Sequence, residues 1–252
     1  LADELSREAS IIQASKGRDS TAPAPFSSID FENVTFRYKG AVATALKDVN
    51  MTLLSGQSIG IIGRSGAGKT TLVDLLLGLL TPSEGQICID GIPIENGLKE
   101  WRQHTAYIPQ EIFIMDESIR RNVALGIPED EISNQKVNQV LKEVQLDELL
   151  AELPQGTETF VGEHGVRLSG GQRQRIAIAR ALYHDREVII MDEATAALDN
   201  ETEEEIIQAI DTVKGKKTLV IIAHRLTTLR HCDVVYRFEK GRVVESGGYS
   251  EV

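Results

Sequence analysis

The sequence has few of the features that mark secreted or membrane-spanning chains. Its two cysteines, Cys88 and Cys232, are too few for a disulfide framework, and we expect both to be small apolar side chains in a reducing compartment. No run of about 18 or more apolar residues occurs. The N-terminus also lacks the pattern of a signal peptide. These absences predict a chain that does not itself cross a membrane and does not depend on disulfides.

Positive charge is also scarce. The 27 Lys and Arg residues stand against 38 Asp and Glu residues, which gives a formal net charge of −11. Proteins that bind nucleic acids usually carry a basic surface, so this balance disfavours a nucleic-acid partner. The length of 252 residues and the ordinary apolar content of 41% predict a globular protein of one large domain or two small ones.

Both ends of the chain look like cuts in a longer polypeptide. The sequence begins with Leu1 rather than Met, and it stops at Val252 without an obvious final element. Residues 1–16 have a weak helical pattern, and the Pro, Ala and Ser residues that follow are typical of an extended linker. We therefore expect a helix and linker over residues 1–27 and a folded domain over residues 28–252.

A phosphate-binding loop is the most informative short motif. Residues 63–70 match G-x-x-x-x-G-K-[ST], and they stand between an apolar strand pattern and an apolar helix pattern. Glycines let the backbone wrap around an anion with its N–H groups inward, and the helix that follows adds its positive dipole end. We expect Lys69 to reach the β- and γ-phosphates and the Thr70 hydroxyl to bind Mg²⁺. The candidate nucleotide-binding residues in this stretch are Gly63, Arg64, Ser65, Gly66, Ala67, Gly68, Lys69, Thr70 and Thr71.

Apolar patterns on either side of this loop predict strands of two kinds. Alternating segments at 29–38, 46–54 and 86–90 favour a small antiparallel sheet. The continuous apolar runs at 187–191 and 218–223 are instead typical of strands buried on both faces of a parallel sheet.

The region 111–181 has helical spacing instead. Apolar residues between 137 and 144 recur at the period of an amphipathic helix, for which Ser133 is a suitable N-cap. The whole pattern predicts an α/β fold. It would have a P-loop NTPase core with a mostly parallel sheet, an antiparallel β subdomain and an inserted α-helical subdomain.

Four apolar strand patterns end in distinctive polar residues. In an open parallel sheet, ligands bind beyond the carboxyl ends of the strands, so neighbouring strands would bring these residues together. A carboxylate such as Asp192 suits Mg²⁺, and Glu193 beside it could orient a water molecule and take its proton. The four strand ends are marked by Gly63, Gln110, Asp192 and His224.

A second glycine-rich stretch, Leu-Ser-Gly-Gly-Gln at 168–172, has two interpretations. Ser169 and Gln172 have the spacing of a capping box, so the stretch could simply start a helix. A glycine-rich loop that opens a helix is also a possible second phosphate site. Both interpretations can hold at once.

These motifs, in this order and at these separations, resemble the nucleotide-binding domain of ATP-binding cassette (ABC) transporters. The phosphate loop occurs in many NTPases, whereas Leu-Ser-Gly-Gly-Gln is the signature of this family. The resemblance covers residues 29–248, nearly all of the expected folded domain. It implies an active ATPase with ATP and Mg²⁺ as its ligands.

The resemblance also implies roles for single residues. Tyr38 matches the aromatic position that stacks on adenine, Glu193 the catalytic base and His224 the switch histidine. Gln110 matches the residue that approaches Mg²⁺ and links the site to a membrane domain. The implied metal-side residues are Thr70, Gln110 and Asp192. The residues implied to act on ATP held by a second subunit are Ser169, Gly170, Gly171, Gln172 and Asp199.

The implied partners are a second copy of the domain and a membrane domain. Two copies would form an ATP-dependent head-to-tail dimer, with Ala196–Asp199 crossing between them; serine is frequent in the family where this chain has Ala196. Residues 159–165 look like the exporter-type motif that touches the membrane domain, with mild departures at Phe160 and His164. The membrane domain is expected in the same polypeptide, followed by the helix and linker of residues 1–27. The location would be the cytoplasmic face of a membrane such as a bacterial inner membrane, and we expect this fragment itself to be soluble.

Other classes of P-loop protein fit the sequence less well. A soluble ABC ATPase that acts on ribosomes or DNA usually has a second cassette or a coiled-coil insertion, and neither is seen here. A GTPase would need an N-K-x-D-type stretch, which is also absent. The sequence thus favours an exporter or flippase, while lipids, lipid-linked saccharides, peptides and drugs remain open as transported substrates.

Overall fold

The computed structural model describes residues 26–163, 165–192, 200–223 and 226–252. Within these ranges the chain forms a six-stranded sheet, a four-stranded sheet and a two-stranded ribbon, with helices packed around them. The predicted α/β fold class is confirmed.

The six-stranded sheet is the centre of the molecule. Its strands are β3 (Ser58–Gly63), β6 (Thr105–Ile108), β9 (Val188–Asp192), β10 (Thr218–Ile222), β11 (Val234–Glu239) and β12 (Arg242–Gly247). Their order across the sheet is β12-β11-β3-β10-β9-β6. Every neighbouring pair is parallel except β11 and β12, which form an antiparallel hairpin. β9 and β10 are almost completely buried, as expected for strands covered on both faces.

The four-stranded sheet is antiparallel and lies beside the phosphate loop. Its strands are β1 (Ser28–Phe36), β2 (Leu46–Leu54), β4 (Glu84–Ile89) and β5 (Ile92–Pro93), in the order β2-β1-β4-β5. Its apolar face shares a core with the first helix after the loop. Trp101 is buried in this core, where its indole N–H donates to the carbonyl of Leu76 over 2.5 Å and its ring meets Phe26 edge-on. The expected antiparallel subdomain is therefore present.

The helices are mostly short. They are α1 (Lys69–Leu76), α2 (Leu98–His104), α3 (Ile119–Val123), α4 (Asn134–Glu143), α5 (Asp147–Glu152), α6 (Gly170–Tyr183), α7 (Asn200–Val213) and α8 (Leu226–Leu229), with 3₁₀ turns at Ile94–Gly97, Glu129–Glu131 and Gly156–Glu158. The helices α3 to α6 lie between β6 and β9 in the chain, together with the ribbon of β7 (Glu117–Ser118) and β8 (Phe160–Val161). This is the predicted helical insertion. In the described ranges, each helix is too short or too polar to cross a lipid bilayer.

Local capping sets where two of these helices start. The Ser133 hydroxyl accepts from the N–H of Lys136 and caps α4, as predicted. The helix α6 begins at Gly170 because Ser169 caps it, which agrees with the capping-box interpretation of this stretch. The sequence patterns did not reveal α2, α8, β5 or the β7–β8 ribbon. Each is shorter than about two helical turns or consists of two-residue strands, so periodicity had too few residues to show.

Candidate nucleotide-binding site

The phosphate loop joins β3 to α1, as its motif requires. Gly63, Gly66 and Gly68 all have positive φ angles, of 156°, 77° and 106°. A Cβ on Gly63 would lie 2.4 Å from the carbonyl oxygen of Phe238 on the parallel neighbour β11. A Cβ on Gly68 would lie 2.8 Å from the carbonyl oxygen of Ala45. These two glycines are therefore required by neighbouring backbone, whereas a Cβ on Gly66 would meet only open space.

The side chain of Lys69, the first residue of α1, contacts the backbone of the loop. Lys69 is only 6% exposed. Its ammonium group donates to the carbonyl oxygen of Gly63 over 2.8 Å and to the carbonyl oxygen of Arg64 over 3.4 Å. Both acceptors are uncharged, so these contacts hold the positive charge within the loop without neutralising it. Gly68 is the N-cap of α1 and supplies no side-chain acceptor to the first turn. The positive end of the helix and the ammonium group are both suited to an anion.

An open cleft of about 300 Å³ lies over this loop. Its lining residues are Tyr38, Ala45, Ser65, Gly66, Gly68, Lys69, Thr70 and Thr71. The Tyr38 hydroxyl is 3.1 Å from the Thr71 hydroxyl, and the Tyr38 ring packs edge-on against Phe36 at 4.9 Å. Tyr38 is 44% exposed, so part of its ring remains accessible. The structure thus brings the predicted aromatic residue to the same cleft as the predicted phosphate-binding residues.

The carboxyl ends of the parallel strands meet on one edge, as expected. Ile222 of β10 pairs with Ile61 on one side and with Asp192 on the other. β9 in turn pairs with β6, the strand that leads to Gln110. Asp192 is half-buried and Gln110 is exposed. The hydroxyl, amide and carboxylate oxygens of Thr70, Gln110 and Asp192 are the hard ligands that Mg²⁺ prefers, so the donor set fits this ion.

The sequence motifs did not indicate two residues, Tyr107 and Asp74, that interact with Asp192. Tyr107 of β6 donates its hydroxyl to Oδ2 of Asp192 over 3.0 Å. Burial, followed by the negative charge of Asp192, raises the pKa of Tyr107 well above its usual value, so the phenol stays protonated. Burial and the charge of Asp192 also raise the pKa of Asp74 on α1. In the sequence, only the position of Tyr107 three residues before Gln110 indicated that it could lie near the site. Its contact with Asp192 depends on the pairing of β6 with β9.

The segment after Gln110 is fixed to the helical insertion by a half-buried arginine. Arg180 of α6 donates to the backbone carbonyl of Phe113 over 2.7 Å. It also donates to Asn122 twice, to the backbone carbonyl over 2.6 Å and to the side-chain Oδ1 over 2.8 Å. Asn122 is fully buried and also bonds the backbone of Met115. Desolvation lowers the pKa of Arg180 to about 10, which leaves it charged at neutral pH. This network was not visible in the sequence, because its members are far apart in the chain.

The same segment touches the stretch before the signature. Asp116 accepts from the N–H of Glu163 over 2.5 Å, and a Cβ on Gly162 would lie 2.3 Å from the Asp116 carboxylate. Phe113 and Phe160, which belong to these two stretches, are 72% and 57% exposed. Phe113 and Phe160 are therefore two large apolar side chains that lie exposed on two segments in contact with each other.

The signature stretch forms a complete capping box. The Ser169 hydroxyl accepts from the N–H of Gln172 over 3.2 Å, and Oε1 of Gln172 accepts from the N–H of Ser169 over 2.8 Å. Ser169 is exposed and Gly171 is buried. The residues that line the phosphate-loop cleft do not include Ser169, Gly170, Gly171 or Gln172.

Several predicted residues lie outside the described ranges. They are Glu193, Asp199 and His224, together with Ala196 and His164. Their predicted roles remain predictions.

Comparison with protein families gives one broad match. Residues 46–196 match a family model described as ABC transporter. This range contains the phosphate loop, Asp192 and the signature stretch.

Named relatives extend the match along the chain. An ATP-dependent lipid A-core flippase from Cupriavidus metallidurans is 40% identical over 224 residues, which are 88% of this chain and 38% of that protein. A protein of the same name from Pseudoalteromonas translucida is 42% identical over 225 residues, again 88% of this chain and 38% of that protein. The chain thus spans about two fifths of the length of these relatives.

A solved structure of a bacterial Atm1-family ABC exporter with ATP bound is also similar. Its TM-score to this chain is 0.79 at 33% identity, and the match covers 99% of this chain and 45% of that one.

Proposed function

Because the chain belongs to the ABC transporter family, we propose that it binds ATP with Mg²⁺ and hydrolyses it, as the ATPase domain of an exporter or a flippase. The observation that carries this proposal is the phosphate loop, with the buried Lys69 ammonium and the uncapped N-terminus of α1 facing an open cleft. The charge, the inward N–H groups and the adjacent Tyr38 ring suit a nucleoside triphosphate.

The roles proposed for the site follow from its chemistry. Tyr38 packs against the adenine ring, while Lys69 and the loop N–H groups bind the phosphates. Thr70, Asp192 and Gln110 hold Mg²⁺, which when bound neutralises charge on the phosphate oxygens. Hydrolysis also needs a group that orients water and takes its proton, and we assign that role to Glu193.

The signature stretch supports a dimer as the active form. Ser169 is exposed at the start of α6 and lies outside the phosphate-loop cleft of its own chain. We propose that Ser169 to Gln172, with Asp199, complete the site of a second copy of this chain in a head-to-tail dimer. Two ATP molecules would then lie between the two copies, and His224 would contact the γ-phosphate.

A membrane domain is the second proposed partner. Residues 1–27 would connect to it, and residues 28–252 would form the ATPase domain. The exposed Phe113 and Phe160 lie on linked segments beside the nucleotide site, which supports a contact there. The relatives named as ATP-dependent lipid A-core flippases support a lipid-linked substrate. We also infer that the domain acts at the cytoplasmic face of a bacterial membrane.

The proposal is tested with Glu193→Gln, which keeps the size of the side chain and removes its basicity. The purified chain should hydrolyse ATP, and the variant should lose nearly all turnover while it still binds ATP. In gel filtration, the variant should elute as a dimer when Mg²⁺ and ATP are present. It should elute as a monomer when no nucleotide is present. Glu148→Gln, which changes an exposed acid on α5, is the matched control and should keep parental turnover. Undiminished turnover in Glu193→Gln would overturn the assignment of the base.

A further inference from the structure

Tyr107 lies on the strand that leads to Gln110, and its side chain reaches the end of the neighbouring strand. β6 pairs in parallel with β9, with Tyr107 opposite Ile190. The Tyr107 hydroxyl donates to Oδ2 of Asp192 over 3.0 Å. An ionised carboxylate can only accept, so the phenol must be the donor.

We propose that Tyr107 is a positioning residue for the metal site. Its hydroxyl holds the Asp192 carboxylate in the orientation that favours Mg²⁺ with a nucleotide, and it ties that carboxylate to the strand that carries Gln110. This inference rests on the proposed function, because Asp192 and Gln110 are metal-side residues only if the chain binds Mg²⁺ with a nucleotide.

The position of Asp192 explains why such a tie matters. The residue ends its strand and is half-buried, so part of its side chain is open to water. Burial, and then the negative charge of Asp192, raises the pKa of Asp74 on α1. Repulsion between the two acids would favour rotation of Asp192, and the neutral phenol donor opposes this rotation without adding charge. Hydrogen bonds to an ionised acceptor are about twice as strong as neutral ones, so the Tyr107 hydroxyl contributes to this orientation.

The exposure of Tyr107 argues against a role that consists only of filling the core. The residue is 41% exposed, unlike the fully buried side chains that fill the core. Replacing it with phenylalanine keeps the ring and removes only the hydroxyl. Outer-shell groups that orient metal ligands typically change metal affinity by about 10–100-fold when removed. We expect the lower end of this range, about 10-fold, for the loss of a single hydroxyl.

Titration calorimetry of ATP binding at rising Mg²⁺ concentrations tests the inference. The proteins are the purified parent chain, Tyr107→Phe and Tyr236→Phe; the last removes a hydroxyl that donates to the carbonyl of Thr52 over 3.2 Å. In EDTA all three should bind ATP with the same affinity, which also verifies the fold. The Mg²⁺ concentration for half-maximal enhancement of ATP affinity should rise about 10-fold in Tyr107→Phe. It should not change in Tyr236→Phe.

A double-mutant cycle shows whether Tyr107 acts through Asp192. In an Asp192→Asn background, Tyr107→Phe should add less than about twofold to the Mg²⁺ requirement, since the carboxylate it orients is gone. A Tyr107→Phe protein with the parental Mg²⁺ dependence would overturn the inference, and so would a full shift that persists in Asp192→Asn. If Mg²⁺ does not affect ATP binding by the parent itself, the proposed function fails, and this inference fails with it.

Discussion

Two glycine-rich loops of this molecule each open a helix, and they differ in how the first turn is satisfied. At α1 the N-cap is Gly68, which offers no side chain, and the Lys69 ammonium is held inside the loop by two carbonyl oxygens. At α6 the N-cap is Ser169, which together with Gln172 forms a full capping box. The first loop leaves its N–H groups for a ligand, whereas the second satisfies part of its own turn.

The difference teaches that a glycine-rich helix start is not by itself a complete anion site. The α1 loop adds a buried cation and a lined cleft to its N–H groups. The α6 loop instead presents an exposed hydroxyl on a turn that is already stable without a ligand. We therefore expect the α1 loop to bind nucleotide in a single chain and the α6 loop to act only on a neighbour.

The largest expected effect is at the α1 loop. Lys69→Ala should lower ATP affinity on the order of 100-fold, because each charge-assisted hydrogen bond to a phosphate contributes about 1.5–3 kcal/mol. Titration calorimetry measures the affinity. Lys99→Ala, at an exposed position on α2, should bind ATP like the parent. Near-parental binding by Lys69→Ala would remove the distinction between the two loops.

The next effect concerns what holds α6 in place at its far end. Arg180→Met should lower the free energy of unfolding by about 2 kcal/mol, because it leaves carbonyl groups of Phe113 and Asn122 without their donor. Urea denaturation measures this change. The control Arg102→Met removes an exposed arginine that donates to the carbonyl of Gly78, and it should cost much less. Equal costs for the two variants would show that the buried network does not anchor the helix.

A smaller change should separate the two roles of the α6 loop. Ser169→Ala should cost about 1 kcal/mol of stability through the lost cap. It should leave ATP binding unchanged and sharply lower turnover. Ser133→Ala removes the equivalent cap of α4 and should cost a similar stability with no loss of turnover. Chemical denaturation and steady-state ATPase assays give the two readouts, and parental turnover in Ser169→Ala would argue against action on a neighbouring site.

The smallest expected effect is a pH dependence at the C-terminal end of α6. Burial, and then the charge of Arg186, holds the pKa of His184 below its ordinary value of 6.5. Between that lowered pKa and 6.5 the unfolded chain binds more protons, so stability decreases as the pH falls through this window. The loss should be smaller in His184→Gln, which can still donate to the carbonyl of Leu125. Thermal unfolding at several pH values measures it, and identical pH profiles would contradict the prediction.

Sequence patterns predicted the elements of the fold where they were long enough to show a period. The continuous apolar runs of β9 and β10 and the helical spacing of α4 were confirmed. The two-residue strands β5, β7 and β8 were not predicted, because they are too short for a period. The α6 capping box was visible in the sequence, and the structure confirmed that Ser169 and Gln172 bond each other reciprocally.

For the site, the sequence by itself determined the chemistry of single stretches. The phosphate loop, the Tyr38 ring and the Asp192 carboxylate each carry their chemical character in a few neighbouring residues. Only the tertiary structure decided which of them meet. The parallel strands lie in the order β3-β10-β9-β6, and their register places Asp192 level with Ile61. The same pairing brings the Tyr107 hydroxyl to the carboxylate of Asp192. Contacts of this kind depend on the register between strands that are distant in the chain, and no local pattern of residues encodes that register.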